Sequence, residues 1–437
     1  MIKYGMKWIV VGVILLSLPA VSQEKPQEWS LKSCIDYARQ QNIQIRKSRV
    51  ALEESIENTK EVRAQRLPSL SFSSTYNYMN RPNPGSGDKH SYTGSYDLNS
   101  SVTLFQGGKL KKNLQQMDLQ SQVQELAIEE SEDNIELAIT QAFLQLLYVN
   151  ETVKINENIV EVSESQCSRG KELMDAGLLS PVDFAQLESQ YTSDKYQLVV
   201  AQSSFANAHL ELKQLLELGL NDSMQLVIPA LSEEDVLVML PAKEAVFLTS
   251  LSVRPEVKYN ELNVKIAGVE REKAWAGYLP SLRLSAGLGT SHVSGNSWSS
   301  QVKHNWGENV GLTLSIPIFS NRSTRTAVNL ARLNIENAEL NYESVQKSLL
   351  KSVENVYQEA ISAQERYRAV QENLKAVELS FRLTQEQFFL GMKNTLEMLT
   401  EKNNLQSARL ESIQAKYMAI LNIQLLNFYQ GKEMTVE

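Results

Sequence analysis

The stretch LPSLSFSSTYNY, Leu67 to Tyr78, decides how this chain is read, because it alternates and because its opening returns as LPSLRLSAGLGT, Leu279 to Thr290. Leu70, Phe72, Tyr76 and Tyr78 are apolar or aromatic, Ser74 being the exception, while Ser71, Ser73, Thr75 and Asn77 are polar. Period two is the mark of a β-strand with two unlike faces. The parity continues at Tyr92, Tyr96, Leu98, Val102 and Leu104 against Ser95, Asp97, Asn99, Ser101 and Thr103. After the second LPSL, Leu282, Leu284, Ala286 and Leu288 oppose Ser281, Arg283, Ser285 and Gly287; then Val310, Leu312, Leu314 and Ile316 oppose Asn309, Gly311, Thr313 and Ser315. Two hairpins are expected, about 69–105 and about 281–319, closed by the polar loops NRPNPGSGDKH and SGNSWSSQVKHN.

A soluble sandwich would alternate in the same way. Three features favour a membrane barrel instead: strands of about ten residues or more, aromatic residues gathered toward the ends of the first pair, and a small, hydrophilic polar face suited to a watery lumen. Four strands cannot close a barrel, and lipid tolerates no open sheet edge. The chain must therefore oligomerise; three copies would supply twelve strands, a number the alternation alone does not fix.

The duplication extends well past LPSL. VTLFQGGKL from Val102 answers LSIPIFSNR from Leu314, with Phe105 opposite Phe319, 214 positions later. DAGLLSPVDFAQLESQ from Asp175 answers FLGMKNTLEMLTEKNN from Phe389, setting Gly177 against Gly391 and Asp183 against Glu397 at that same separation. Each half orders its parts as helix, LPSL, two strands, a very long helix, a Gly-containing turn and a helix. The expected division is a signal peptide at 1–22, a first repeat at 23–218, an equatorial linker at 219–242, a second repeat at 243–430 and a tail at 431–437. The signal peptide rests on Lys3 and Lys7, the apolar run WIVVGVILLSL and the small-residue end at Ala20 to Ser22. An uncleaved anchor helix is the alternative, and the run is short for one.

With only 19 Gly and 11 Pro in 437 residues, long elements are expected. Between Lys109 and Asp175 there is no proline and one glycine, Gly170, over 67 residues; a continuous helix there would be about 100 Å long. Leu110, Leu114, Met117, Ser121, Gln124 and Ile128 mark one seam on it, and Leu119, Val123, Leu126, Leu137, Leu144 and Leu147 a second. Two seams mean two neighbours, as in a wall. Helices from about Ser30 to Arg66 and Pro181 to Leu218 are each about half as long and would stack end to end beside it. The second half repeats this, with about 321–388 long and about 243–277 and 394–429 short. Both Gly turns then lie at one end and both hairpins at the other. The fold class is a mixed one: an all-α coiled-coil barrel plus a transmembrane β-barrel, built from duplicated halves.

The formal charge of −8 is spread over mixed-sign helices, and the acidic run Glu129 to Asp133 reads as a solvated face, so nucleic acid is not an expected partner. His90, His209, His292 and His304 have no ligand spacing; no phosphate-cradling loop and no nucleophile elbow appear. No catalytic residue, cofactor or metal is expected. Cys34 and Cys167 lie on this layout beyond disulfide reach and read as packed or free thiols.

WSLKSCIDYARQQN opening the first helix, the doubled LPSL, LFQGG and PIFSNR at the strand-to-helix junctions and the Gly turns, in this order and duplicated, resemble the TolC family of outer-membrane efflux proteins over essentially the whole mature chain. The resemblance implies a homotrimer with a twelve-stranded barrel in outer-membrane lipid and a helical tunnel through the periplasm. It also implies docking on a periplasmic adaptor (membrane fusion) protein and an inner-membrane transporter that supplies the energy. The chain would be the passive exit duct of a tripartite efflux or type I secretion system and not an enzyme. A periplasmic coiled-coil scaffold without a barrel is the competing reading; it leaves the alternating strands unexplained.

In that family the periplasmic tip is closed by ionic links and an acidic ring. Asp183 and Lys393 match one link and Glu397 a ring member, while Thr400 stands where the next ring position would be acidic and Phe388 where a tyrosine hydroxyl would join the link. A plainer reading accompanies these residues: Ser180-Pro181-Val182-Asp183 and Asn394-Thr395-Leu396-Glu397 spell capping boxes. Gly177, Leu178, Leu179, Gly391 and Met392 form the tip turns; glycine allows the left-handed backbone that ends a helix, and the apolar neighbours suggest an adaptor-docking surface.

Overall fold

Two runs of elements, alike in order and length, follow one another in the computed structural model, which describes residues 28–83, 89–229, 231–295 and 297–435. The stretch read as a signal peptide lies outside the described residues. The first run is α1 (Leu31–Gln41), α2 (Ile43–Ala64), β1 (Ser69–Asn80), β2 (His90–Gln106), α3 (Lys109–Asp175) and α4 (Pro181–Leu215). After the short α5 (Glu233–Val236) come α6 (Lys243–Val253), α7 (Pro255–Trp275), β3 (Ser281–Val293), α8 (Trp298–His304), β4 (Gly307–Ser315), α9 (Ser323–Phe389) and α10 (Thr395–Tyr429). The long helices α3 and α9 have 67 residues each, and α4 and α10 have 35 each, or about 100 Å and about 50 Å.

The two copies are offset by 212 positions ahead of the hairpins (α1 to α6) and by 214 after them (α3 to α9, α4 to α10), so the second hairpin region carries two extra residues. Each long helix is entered through two left-handed residues, Gly107 and Gly108 in one copy and Asn321 and Arg322 in the other.

The four strands form one antiparallel sheet in the order β1-β2-β3-β4. Its register sets Phe72 beside Leu98 and Leu98 beside Leu288, and places Leu284 between Val102 and Leu312. The apolar positions of all four strands thus share one face, and Ser73, Asp97 and Gly289 with their like share the other. The apolar face is bare: Leu70 is 72% exposed, Phe72 67% and Val310 78%. At the turn end of that face the His292 ring lies over Gly94, in the space a Cβ would take, amid Tyr76, Tyr96 and Trp298. β1 and β4 have one partner each, leaving two open edges. Below the sheet α2 packs on α3, α3 on α7 and α7 on α9. The helices keep the lateral order of the strands they continue, so sheet and helices make one wall.

Several expectations are corrected. The first short helix is not continuous from Ser30 to Arg66 but breaks at Asn42, and its counterpart breaks at Arg254, both with extended backbone. Asn42 caps α2 by accepting from the Gln44 N–H at 2.8 Å, and Arg254 precedes Pro255, which disfavours helical backbone before it. These breaks are where the short helices meet end to end: the Asn42 amide donates to the Leu215 carbonyl at the end of α4, and the Ser250 hydroxyl to the Tyr429 carbonyl at the end of α10. The second hairpin's last strand stops at Ser315 rather than reaching 319, and its loop is not merely polar but folds α8 back on β3, Thr290 donating to the Val302 carbonyl.

The acidic run is also more than a solvated face. Glu132 pairs with Arg49 at 3.2 Å, and Asp133 pairs at 2.8 Å with Arg254, a buried guanidinium stacked 3.9 Å over the Phe428 ring. The run fastens α3 to both joints.

The largest core lies at mid-height, where Trp29, Phe143, Leu146, Leu147, Leu212 and Leu216 meet Met224 and Val236 of the linker. Trp29 adds a parallel bridge to Leu226. Cys34 is packed in this core, burial pushing its thiol up to about 12, while Cys167 is half-buried on α3.

Candidate functional site

The far end of the helices, opposite the sheet, carries the residues singled out in the sequence. Each turn there needs a left-handed residue to reverse the chain after a 67-residue helix, and Gly177 (φ 75°) and Gly391 (φ 72°) supply it. At α4, Ser180 caps the first turn: its hydroxyl accepts from the Asp183 N–H at 3.1 Å and donates to the Asp183 carboxylate at 2.6 Å. At α10, Asn394 accepts from the Glu397 N–H at 2.9 Å and the Glu397 carboxylate accepts from the Asn394 N–H at 3.1 Å.

Lys393 and Asp183 are not joined within the chain. Lys393 donates instead to Glu397 at 2.5 Å, a bond that with the Asn394 N–H holds the Glu397 carboxyl below the usual carboxylate range. Thr400 turns its hydroxyl to the Leu396 carbonyl at 2.8 Å. Phe388 packs in a small tip core with Leu187, Met398 and Leu399. Leu179 joins that core rather than standing out. The most exposed apolar residues at the turns are Leu178, Val182, Leu390, Met392 and Leu396, each at least 64% exposed, and Val182, Leu390 and Leu396 extend the predicted patch.

Above the tip the structure brings together residues that sequence reading missed. Lys402 of α10 donates to Asp194 of α4 at 2.5 Å, and Ser163 of α3 bonds to both. Gln190 adds a bond to Asp194 at 2.9 Å and another to Asn403 at 3.3 Å. The Lys402 and Asp194 side chains are 4% and 2% exposed. Three helices from both repeats thus meet at one dry ion pair, directly behind the turns. A heptad reading had the signal: Leu187, Asp194, Ala201 and Ala208 recur every seven residues on the buried face of α4, so Asp194 is a charge in an otherwise apolar seam.

The elements offer a sheet with a bare apolar face and open edges at one end. At the other they offer an apolar-tipped, acid-bearing pair of turns braced by a buried charge.

A family model described as outer membrane efflux protein matches residues 34–217 and 249–430, the two repeats in turn. The outer membrane protein TolC of Escherichia coli strain K12 is 22% identical over 423 residues, covering 95% of this chain and 84% of that protein. The outer membrane efflux protein BepC of Brucella suis is 20% identical over 429 residues, covering 96% and 90%. Among solved structures, that of CusC, a transmembrane channel, superposes with a TM-score of 0.80 at 18% identity over 95% of this chain and 96% of that one. The outer membrane protein VceC from Vibrio cholerae gives 0.75 at 15% identity, covering 92% and 96%.

Proposed function

The chain belongs to the outer membrane efflux protein family, and we propose that three copies close one twelve-stranded barrel as the exit duct of a tripartite efflux or type I secretion system. The duct lies in the outer membrane and reaches into the periplasm. One observation carries the reading: a four-stranded sheet with a bare apolar face, a small polar face and two unpaired edges leads, through the left-handed residues Gly107 and Gly108 and Asn321 and Arg322, into 67-residue helices. In lipid such edges must be paired, and further copies of the same chain supply the partners. The polar strand faces then line a wet lumen that the helical wall prolongs.

The energy for transport comes from an inner-membrane transporter reached through a periplasmic adaptor; the duct itself conducts. The adaptor docks at the turns around Gly177, Leu178, Gly391 and Met392. Asp183 and Lys393 link neighbouring copies across the closed tip, which the absence of a bond between them within one chain allows, and Glu397 contributes one ring of three carboxylates that draws cations. With Thr400 beside it, that ring is a single charged layer.

The test is membrane fractionation followed by planar-bilayer recording of the purified protein. A detergent-resistant trimer that conducts supports the duct. Recovery in the soluble periplasmic pool, without conductance, overturns it in favour of a coiled-coil scaffold.

A further inference from the structure

At the opposite end of the wall, where strands become helices, each strand end is flanked by an exposed cation: Arg66 before β1, Lys111 after β2, Arg271 before β3 and Arg325 after β4. None of the four pairs with another described residue. Trp275 and Tyr278, 54% and 45% exposed, lie between Arg271 and the start of β3. Aromatic rings of this kind settle at headgroup depth.

Two of the cations share a groove. β1 begins at Ser69 opposite Ser101, so the last residues of β2 run on without a β1 neighbour. The end of α2 and the start of α3 flank the gap. The groove so formed has a volume of about 740 Å³; its lining includes Leu104, Phe105 and Leu110 together with Arg66, Lys111 and Asp118. Leu104 and Phe105 are 52% and 47% exposed. A register shift between Thr103 and Phe105 restores Phe105 to the apolar face opposite Leu282. The apolar wall of the groove is therefore continuous with the lipid-facing side of the sheet.

We propose that this groove holds the headgroup of an anionic glycerophospholipid of the periplasmic leaflet, its phosphodiester on Arg66 and Lys111 and its acyl chains on Leu104, Phe105 and Leu110. The inference rests on the barrel reading. A guanidinium and an ammonium give a phosphodiester charge-assisted hydrogen bonds, and a basic pocket beside an apolar wall is the usual form of a headgroup site. Asp118 does not convert the site to a zwitterionic lipid. It lies seven residues beyond Lys111, about 10 Å along the helix, farther than an ethanolamine amine reaches from its own phosphate.

The experiment uses the purified full-length protein in detergent, titrated with phosphatidylglycerol or phosphatidylethanolamine of matched acyl chains and read by native mass spectrometry. Each cation near an anionic surface is worth about fivefold in affinity. Wild-type protein should retain phosphatidylglycerol over phosphatidylethanolamine by at least that factor, weakening with salt, and Arg66→Gln with Lys111→Gln should abolish the preference while the trimer persists. Equal retention of the two lipids by wild-type protein overturns the site, as does a double variant that assembles and keeps the preference. Should the double variant not assemble, Lys111→Gln alone must cut the preference about fivefold. A second copy in the groove is the remaining occupant: a disulfide between chains carrying Leu104→Cys and Ile318→Cys would put it there and overturn the lipid. Failure of the protein to form a trimer at all would count against the duct, a separate outcome.

Discussion

Removing Lys402 should loosen the tip hairpins by about 3 kcal/mol. Asp194 is 2% exposed, so water cannot replace the lost ammonium, and among the described residues the carboxylate keeps Ser163 and Gln190 as donors. Breaking a dry pair from one side costs about 3–5 kcal/mol; with two of three donors retained, Lys402→Met should cost about 3 kcal/mol. Because the pair ties α10 to α4 and α3 locally, the loss appears as easier local opening. Hydrogen exchange of amides flanking Asp194 and Lys402 should accelerate about 100-fold, as about 1.4 kcal/mol per tenfold requires. Asp194→Leu alone, which strands the ammonium, should act alike, whereas the double variant Lys402→Met with Asp194→Leu leaves no buried charge and should return close to wild-type exchange. Additive effects in the double variant, or single variants within about fivefold of wild type, would refute the argument that a paired buried charge braces the tip.

Replacing Asp183 and Lys393 together by Ala should raise single-channel conductance in planar bilayers if they link neighbouring copies; unchanged conductance would leave them as helix-capping and solvated groups. Leu178→Asp with Met392→Asp should leave trimers intact in outer-membrane fractions yet abolish export, which drug or protein efflux from whole cells would reveal; normal export would remove the tip as a docking surface. Ser180→Ala should destabilise the start of α4 by about 1 kcal/mol, read as faster exchange confined to its first turn. Burial raises the Asp133 carboxyl to about 6 despite Arg254. For an acid whose folded pKa lies above the unfolded one, the contribution to stability is present at low pH and lost as pH rises through about 6. Thermal unfolding of wild type relative to Asp133→Asn should therefore worsen from about pH 4 to about pH 6 and level off above it; a constant difference would contradict it.

Strands and long helices were legible because their signals are local. The parity from Leu70 to Tyr78 survives without knowledge of any partner, and a 67-residue helix announces itself by what it lacks. The break at Asn42 was hidden, since Gln-Gln-Asn-Ile suits a helix until the end of α4 arrives to accept from the Asn42 amide. The break at Arg254 has a local signal, the proline that follows it. α8 was missed because seven residues carry no period of their own and fold only against β3. The Lys402–Asp194 pair spans 208 positions and follows no repeat spacing, so only packing assembles it. Lys393 shows the reverse limit: its charge was legible, its partner within the chain was not, because Glu397 one turn away competes with any acid farther off.

The uninterrupted course of α3 and α9, each alongside a shorter helix locked to it at fixed heights, makes the reach of this molecule a quantised property. A single inserted residue would rotate everything beyond it by about 100° and turn buried seams outward, whereas seven return the helix almost to phase and add about 10 Å. A change of span must then enter α3, α4, α9 and α10 together, heptad by heptad, to keep both turns level. Relatives of this chain that bridge wider or narrower compartments should differ in those four helices by matched multiples of seven, and sequence comparison alone can check it.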